Sequence, residues 1–325
     1  MKLRRDLCMK PILLRFACLA GLLTVLIAAA FAYYLPIQDA YHPLNTDFNG
    51  CSQILQMYQN TTLLTSYDAI SSGDPSSLLA IIGPNLEFTT HDSATIRTFL
   101  EAGGTVLLAD NFGTGNQLLQ ALGVGVRISG EPIADLYFYT RNPEFPIAYD
   151  FSPNSLTSNL TAVVFNRPSY LVGANSSSTI LVSSSPFSFI DLDQGHPVAN
   201  ETVGSYPMIA ISNVGKGSLI VIADPNIFTN EMIGLFDNAL LLRNLMRGHS
   251  HLIFDVVHLR TAVLTAYRIQ LKQEIDSTRS FLLLSQAGAY VQWTSLIVII
   301  VGFSFEIFRR IRRVKWAHIS SRNYA

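Results

Sequence analysis

Hydrophobic and polar positions change rhythm along this chain, and the clearest pattern lies at residues 77–122. Residues 78–83 are a short apolar run ended by Gly83-Pro84. Over 91–102, Ala94, Ile96, Phe99, Leu100 and Ala102 recur near helical spacing, and Gly103-Gly104 supply the stop. Residues 105–109 are again wholly apolar and are closed by Asp110-Asn111. Two short apolar strands around a helix predict a βαβ unit, with parallel strands covered on both faces. A further helix is predicted over 113–122, ended by Gly123.

The flanking segments are read in the same way. Asp47 or Asn49 can cap a helix carrying Ile54, Leu55, Met57 and Tyr58, followed by a strand at 62–67 and a turn at 71–77. Residues 130–203 are rich in Ser, Asn and Pro, with strand-like runs at 136–139, 162–165 and 179–183, and predict a β-rich segment. Strands at 208–212 and 218–223 flank Gly215-Lys216-Gly217 and predict a hairpin. Residues 230–247 predict a long helix, stopped by Gly248, and 252–254 a last strand.

Charge and apolar content add a topology. Residues 16–35 and 281–305 carry no charge, and each is long enough to span a bilayer core of about 30 Å. Five Lys and Arg precede the first run and six follow the second, whereas 36–286 holds 11 Lys+Arg against 21 Asp+Glu. The positive-inside rule then places both termini in the cytoplasm and the middle outside, on a cell membrane. The expected layout is a basic tail (1–15), a transmembrane helix (16–35), an extracytoplasmic domain (36–255), a juxtamembrane helix (256–280), a second transmembrane helix (281–308) and a basic tail (309–325). Ala30-Phe31-Ala32 keeps open a cleaved signal peptide in place of the first span. The C-terminal RRIRRVK run is read as a topogenic, lipid-facing anchor and not as a nucleic-acid site. With Cys8 and Cys18 in or beside the first span, Cys51 has no disulfide partner outside. Sequons at Asn60, Asn159, Asn175 and Asn200 are possible glycosylation sites.

The order GPNLEFTTHDSATIRTFLEAGGTVLLADNFGTGNQLLQALG, then GKGSLIVIADPNIFTNEMIGLFDNALLLRNL, then IFDVVH resembles a largely archaeal membrane-protein family with a domain of unknown function. That domain is akin to GldG-like and class I glutamine-amidotransferase-like folds. The resemblance implies a flavodoxin-like or class I amidotransferase-like α/β fold. Its mostly parallel sheet would carry helices on both faces, a β-rich insertion and two flanking transmembrane helices. It also implies membrane or extracytoplasmic protein partners, including a system with a MoxR-type ATPase. Some relatives carry an acidic residue and a His pair near the last strand. Here that segment is Phe254-Asp255-Val256-Val257-His258 and is assigned no role.

An amidotransferase needs a Cys nucleophile on a sharp strand-to-helix turn, and this chain has none there; no G-x-S-x-G elbow replaces it. No catalytic residue, metal or cofactor is assigned. Ligands of open α/β sheets collect beyond the strand carboxyl ends. A polar ligand would there meet Asp110, Asn111, Asn116, Asp224, Asn226 and Asn230, the same residue types that cap helices and make turns. Three functions follow in order. The first is a non-catalytic scaffold or interaction subunit of a membrane assembly. The second is a ligand-binding receptor or ABC-transport accessory protein. The third is a metal-dependent hydrolase using Asp110, Asp224 and His196.

Overall fold

The computed structural model describes residues 36–70, 74–174, 178–192 and 202–262, together with residues 19–24, 26, 27 and 30 and scattered positions between 265 and 290. It divides into two units, Pro36–Ala262 and a second formed by Met1–Leu35 with Val263–Ala325. Residues 19–24 of the second unit are helical.

Pro36–Ala262 is built on an eight-stranded sheet. Five strands are parallel neighbours, in the order β1 (Thr61–Leu64), β15 (His251–Asp255), β2 (Ser77–Ile82), β3 (Thr105–Ala109) and β14 (Gly217–Ile222). β13 (Pro207–Val214), β10 (Ser178–Ser183) and β7 (Asp150–Phe151) then extend it antiparallel. Small antiparallel sheets complete the 127–206 lobe. They pair β12 (Val203–Gly204), β11 (Ser188–Ile190) and β5 (Ile133–Asp135); β4 (Arg127–Ile128) and β9 (Leu171–Val172); and β6 (Ile147–Ala148) and β8 (Val163–Val164).

β2 shows how residue order sets the layers. Successive side chains of a strand point to opposite faces. Leu79 and Ile81 join Ile96, Phe99 and Leu100 of α2 (Thr90–Glu101) and Leu118, Leu119 and Leu122 of α3 (Gly115–Leu122). Leu78, Ala80 and Ile82 join Ile54 of α1 (Ser52–Met57), Leu241 and Leu245 of α4 (Asn238–Leu245), and Val163 and Phe165 of the lobe. A capping box starts α2: the Thr89 hydroxyl accepts from Asp92 N and the Asp92 carboxylate accepts from Thr89 N. Gly103, at φ +107°, ends it, and its N–H donates to Leu100 O.

Two parts of the expected fold are corrected. The sheet is mixed rather than mostly parallel, because β13, β10 and β7 add antiparallel pairings and the lobe supplies two of those strands. The flanking transmembrane helices are not supported: among the described residues, no helix is long and apolar enough to cross a membrane. Residues 16–35 and 281–308 lie mostly outside the described residues.

Individual elements also differ. The helix expected over 230–247 shrinks to α4. Phe236 takes φ +44°, and the Asp237 carboxylate accepts from Thr161 N and Ala162 N instead of continuing a helix. Neither Asp47 nor Asn49 caps α1; Cys51 holds its N-cap position. Residues 256–262 are not helical. The hairpin forms as expected, with Gly215 at φ +61° in the turn between β13 and β14.

Phe254 is fully buried on the α1/α4 face of β15. Phe254→Ala should therefore cost about 3–5 kcal/mol, read as a lower urea midpoint with unchanged m-value.

Candidate functional site

The parallel strands present their carboxyl ends on one edge, where open α/β sheets place ligands. Asp110 follows β3 and is 3% exposed. Its Oδ1 accepts from Asn111 N (2.8 Å) and Gly113 N (2.9 Å), and its Oδ2 from Gly115 N (2.8 Å). This carboxylate holds the turn into α3. A Cβ on Gly115 would lie 2.7 Å from Asp110 Oδ2, and one on Gly113 would lie 2.1 Å from Pro84 O, so both positions require glycine. The glycines here serve a carboxylate from the chain itself.

Asp224 follows β14 and is fully buried. Its Oδ2 accepts from Asn166 N (2.6 Å) and its Oδ1 from Asn226 N (2.8 Å). Asn226 Nδ2 donates to Asn166 O (2.9 Å), and Asn111 Nδ2 to Arg167 O (3.3 Å). The ends of β3 and β14 thus converge on one lobe segment, Asn166-Arg167, where Arg167 takes φ +48°. Asn116 lies apart from this convergence. Its amide accepts from Ile128 N (2.9 Å) and donates to Ile128 O (2.8 Å), as a strand partner would.

Residues 36–50 form a strap at the same edge. The Tyr41 hydroxyl donates to Asn226 Oδ1 (3.0 Å). The Tyr41 ring lies so close on Gly83 that a Cβ there would meet Cδ2 at 2.2 Å. Asn230 holds the strap: Nδ2 donates to Asn45 O (3.0 Å) and Asp47 O (2.7 Å), and Oδ1 accepts from Gln53 N (2.9 Å). Burial pushes the Tyr41 phenol well above its ordinary pKa, with the Asp224, Cys51 and Asp110 charges adding to the rise. Burial likewise raises Asp224 to about 7, against the backbone N–H groups that favour its ionised form. It raises Asp110 in the same sense.

Beyond β15, sequence reasoning assigned no role to Asp255 and His258, yet the structure joins them. His258 Nδ1 lies 2.6 Å from Asp255 Oδ2, which also accepts from the Tyr67 hydroxyl (3.2 Å). His258 Nε2 faces Asp92 Oδ2 at 3.5 Å, and the ring stacks on Phe88 at 3.7 Å. The group ties the end of β15 to the first turn of α2. The three-residue spacing of Asp255 and His258 was visible in the chain; the approach of Asp92 and Tyr67 needed the fold.

Among the described residues, no three His, Cys, Asp or Glu side chains are grouped to hold a metal ion. His196 lies outside the described residues, as do the sequons at Asn175 and Asn200. Asn60 and Asn159 are exposed.

The geometry defines a mixed α/β domain whose strand-end polar residues bind its own backbone. The chain belongs to the family described as Domain of unknown function (DUF4350), whose family model matches residues 43–246. This bears out the domain-of-unknown-function part of the resemblance and gives no support to its GldG-like, archaeal and membrane parts. Comparison with curated proteins found no match. Among solved structures, the chain is similar to an mmIFT52 N-terminal domain at 17% identity, covering 52% of this chain and 75% of that one with a TM-score of 0.43. It is similar to a cytoplasmic protein from Salmonella typhimurium LT2 at 11% identity, with 58% and 76% coverage and a TM-score of 0.37. A β-galactosidase from Bacillus circulans sp. alkalophilus matches at 12% identity over 53% of this chain and 22% of its own, with a TM-score of 0.33.

Removing the Asp110 carboxylate strands buried N–H donors. Asp110→Ala should cost about 3 kcal/mol or more in urea unfolding. The unfolded chain releases the Asp224 proton in the ordinary carboxyl range, while the folded domain keeps it to about pH 7. The folded state therefore binds more protons in between. Asp224's share of the stability is full at low pH, falls as pH rises through that window and levels off above about 7. Asp224→Asn should flatten this slope, measured as unfolding free energy from about pH 4 to about pH 8.

Proposed function

We propose that the domain is a non-catalytic interaction module, a subunit that offers a rigid surface to protein partners in a larger assembly. One observation carries this reading. At the edge where an α/β sheet would receive a substrate, Asp110, Asp224, Asn226 and Asn230 are bonded to backbone or to the strap. Their polar atoms are already spent on the chain itself, so an incoming molecule would first have to displace those buried bonds. Cys51 supports the same conclusion. It is fully buried ahead of α1, and burial pushes its thiol well above the ordinary range. A receptor with its ligand at the strand ends is less well supported, since Tyr41 and the strap would first have to leave.

The test is gentle purification of the full chain from its native source, followed by mass spectrometry. A protein partner recovered reproducibly in stoichiometric amount is the expected result. Turnover of a substrate by the purified chain, lost in His258→Gln with folding intact, would overturn the proposal.

A further inference from the structure

A second feature lies in the lobe, in the three-stranded sheet β12-β11-β5. Asp135, at the end of β5, is fully buried and accepts four hydrogen bonds. Oδ1 takes Tyr137 N (2.9 Å) and Phe138 N (2.7 Å); Oδ2 takes the hydroxyls of Ser188 (2.6 Å) and Ser185. The Ser185 hydroxyl in turn accepts from Phe187 N (3.0 Å). One buried carboxylate thus fixes two loops, and both carry aromatic side chains outward. Tyr137 is 70% exposed, Phe187 43% and Phe138 39%; Tyr149, between β6 and β7, is 51% exposed. The rings brace one another: Phe138 meets Tyr149 edge-on at 5.7 Å, and Tyr137 meets Phe187 edge-on at 4.9 Å. Aromatic groups held in water by a buried polar hub are prepared for contact rather than for packing.

Phe138 and Tyr149 wall a cavity of about 610 Å³, within the range of small-molecule sites. The other lining residues are Asp150, Ser184, Ser185, Pro186 and Ser205. Their hydrogen-bonding capacity decides what fits. The Ser185 hydroxyl is engaged by Asp135 and Phe187, Ser184 accepts from Tyr206 N (2.9 Å), and Ser205 donates to Ser184 O (2.7 Å). Asp150 is exposed at the sheet edge, and its carboxylate makes no hydrogen bond or ion pair among the described residues. A polyhydroxylated ligand would find few open groups. A neutral apolar ligand would desolvate the carboxylate without compensation. An anion would face both a carboxylate and the negative faces of the rings. A cation satisfies both, and the unit Pro36–Ala262 has 8 Lys+Arg against 19 Asp+Glu, a net charge of −11.

We propose that this cleft binds a small organic cation, an ammonium head on an apolar body, with the head at Asp150 and the body against Phe138 and Tyr149. This goes beyond the interaction-module reading and does not depend on it.

The test is isothermal titration of the full chain with benzyltrimethylammonium, benzyl alcohol and benzoate. Saturable binding of the cation alone is expected. Its affinity should fall by about two- to fivefold in Asp150→Asn and in Tyr149→Ala, with melting temperatures unchanged. Both side chains are exposed, so neither variant threatens the fold. Equal binding of benzyl alcohol, absence of saturable cation binding, or indifference to Asp150→Asn would overturn the assignment. So would a lysine-containing peptide that binds through Asp150 where the small cation does not, since that outcome names a protein partner instead.

Discussion

Backbone N–H and C=O groups removed from water must find partners, and this domain meets that demand with side chains wherever regular structure runs short. Many lobe strands are only two or three residues long, so ladders satisfy little of its backbone. Side chains from the sheet and from α4 supply the rest. Asp224, Asn226 and Asn111 clamp Asn166-Arg167. Asp237 binds Thr161 and Ala162, Asn238 binds both polar groups of Val164, and Asn244 Nδ2 binds Leu156 O and Ser158 O. The lobe keeps its shape because acidic and amide side chains complete its missing ladders.

This division of labour accounts for both candidate regions. At the strand ends, the carboxylates are committed to holding backbone, which leaves them little freedom to serve a substrate. In the aromatic cleft the commitment lies one step back. Asp135 holds the loops that carry Tyr137, Phe138 and Phe187, and these rings remain open beside Asp150 of β7. Buried carboxylates have structural work in both places, and only in the second does that work leave chemistry facing water.

The parts of the fold legible in the chain were those set by local pattern. The apolar runs of β2 and β3, the Gly103-Gly104 stop and the Gly215 turn each act over a few residues, and each is found. The mixed character of the sheet was hidden because the strand expected over 179–183 carries no local signal of which strand it pairs with, and β7 is only two residues long. The long helix over 230–247 failed for a comparable reason: its apolar spacing is helical, but Asp237 is drawn away to Thr161 and Phe236 turns left-handed. The strand-end aspartates were placed correctly, while their use was not legible. Tyr41 meets Asn226 across 185 positions, and Asp255 meets Tyr67 across 188, separations at which residue spacing carries no signal.

The two outermost strands of the main sheet are among its shortest, with four residues in β1 and two in β7. An unpaired sheet edge is a template on which a second chain can add, and its hazard grows with its length. A two-residue margin offers an incoming strand almost no ladder to continue. The sheet can therefore be eight strands wide and apolar within without inviting fibrous growth from its β7 side. Protection from aggregation is built into where the lobe lets the sheet stop.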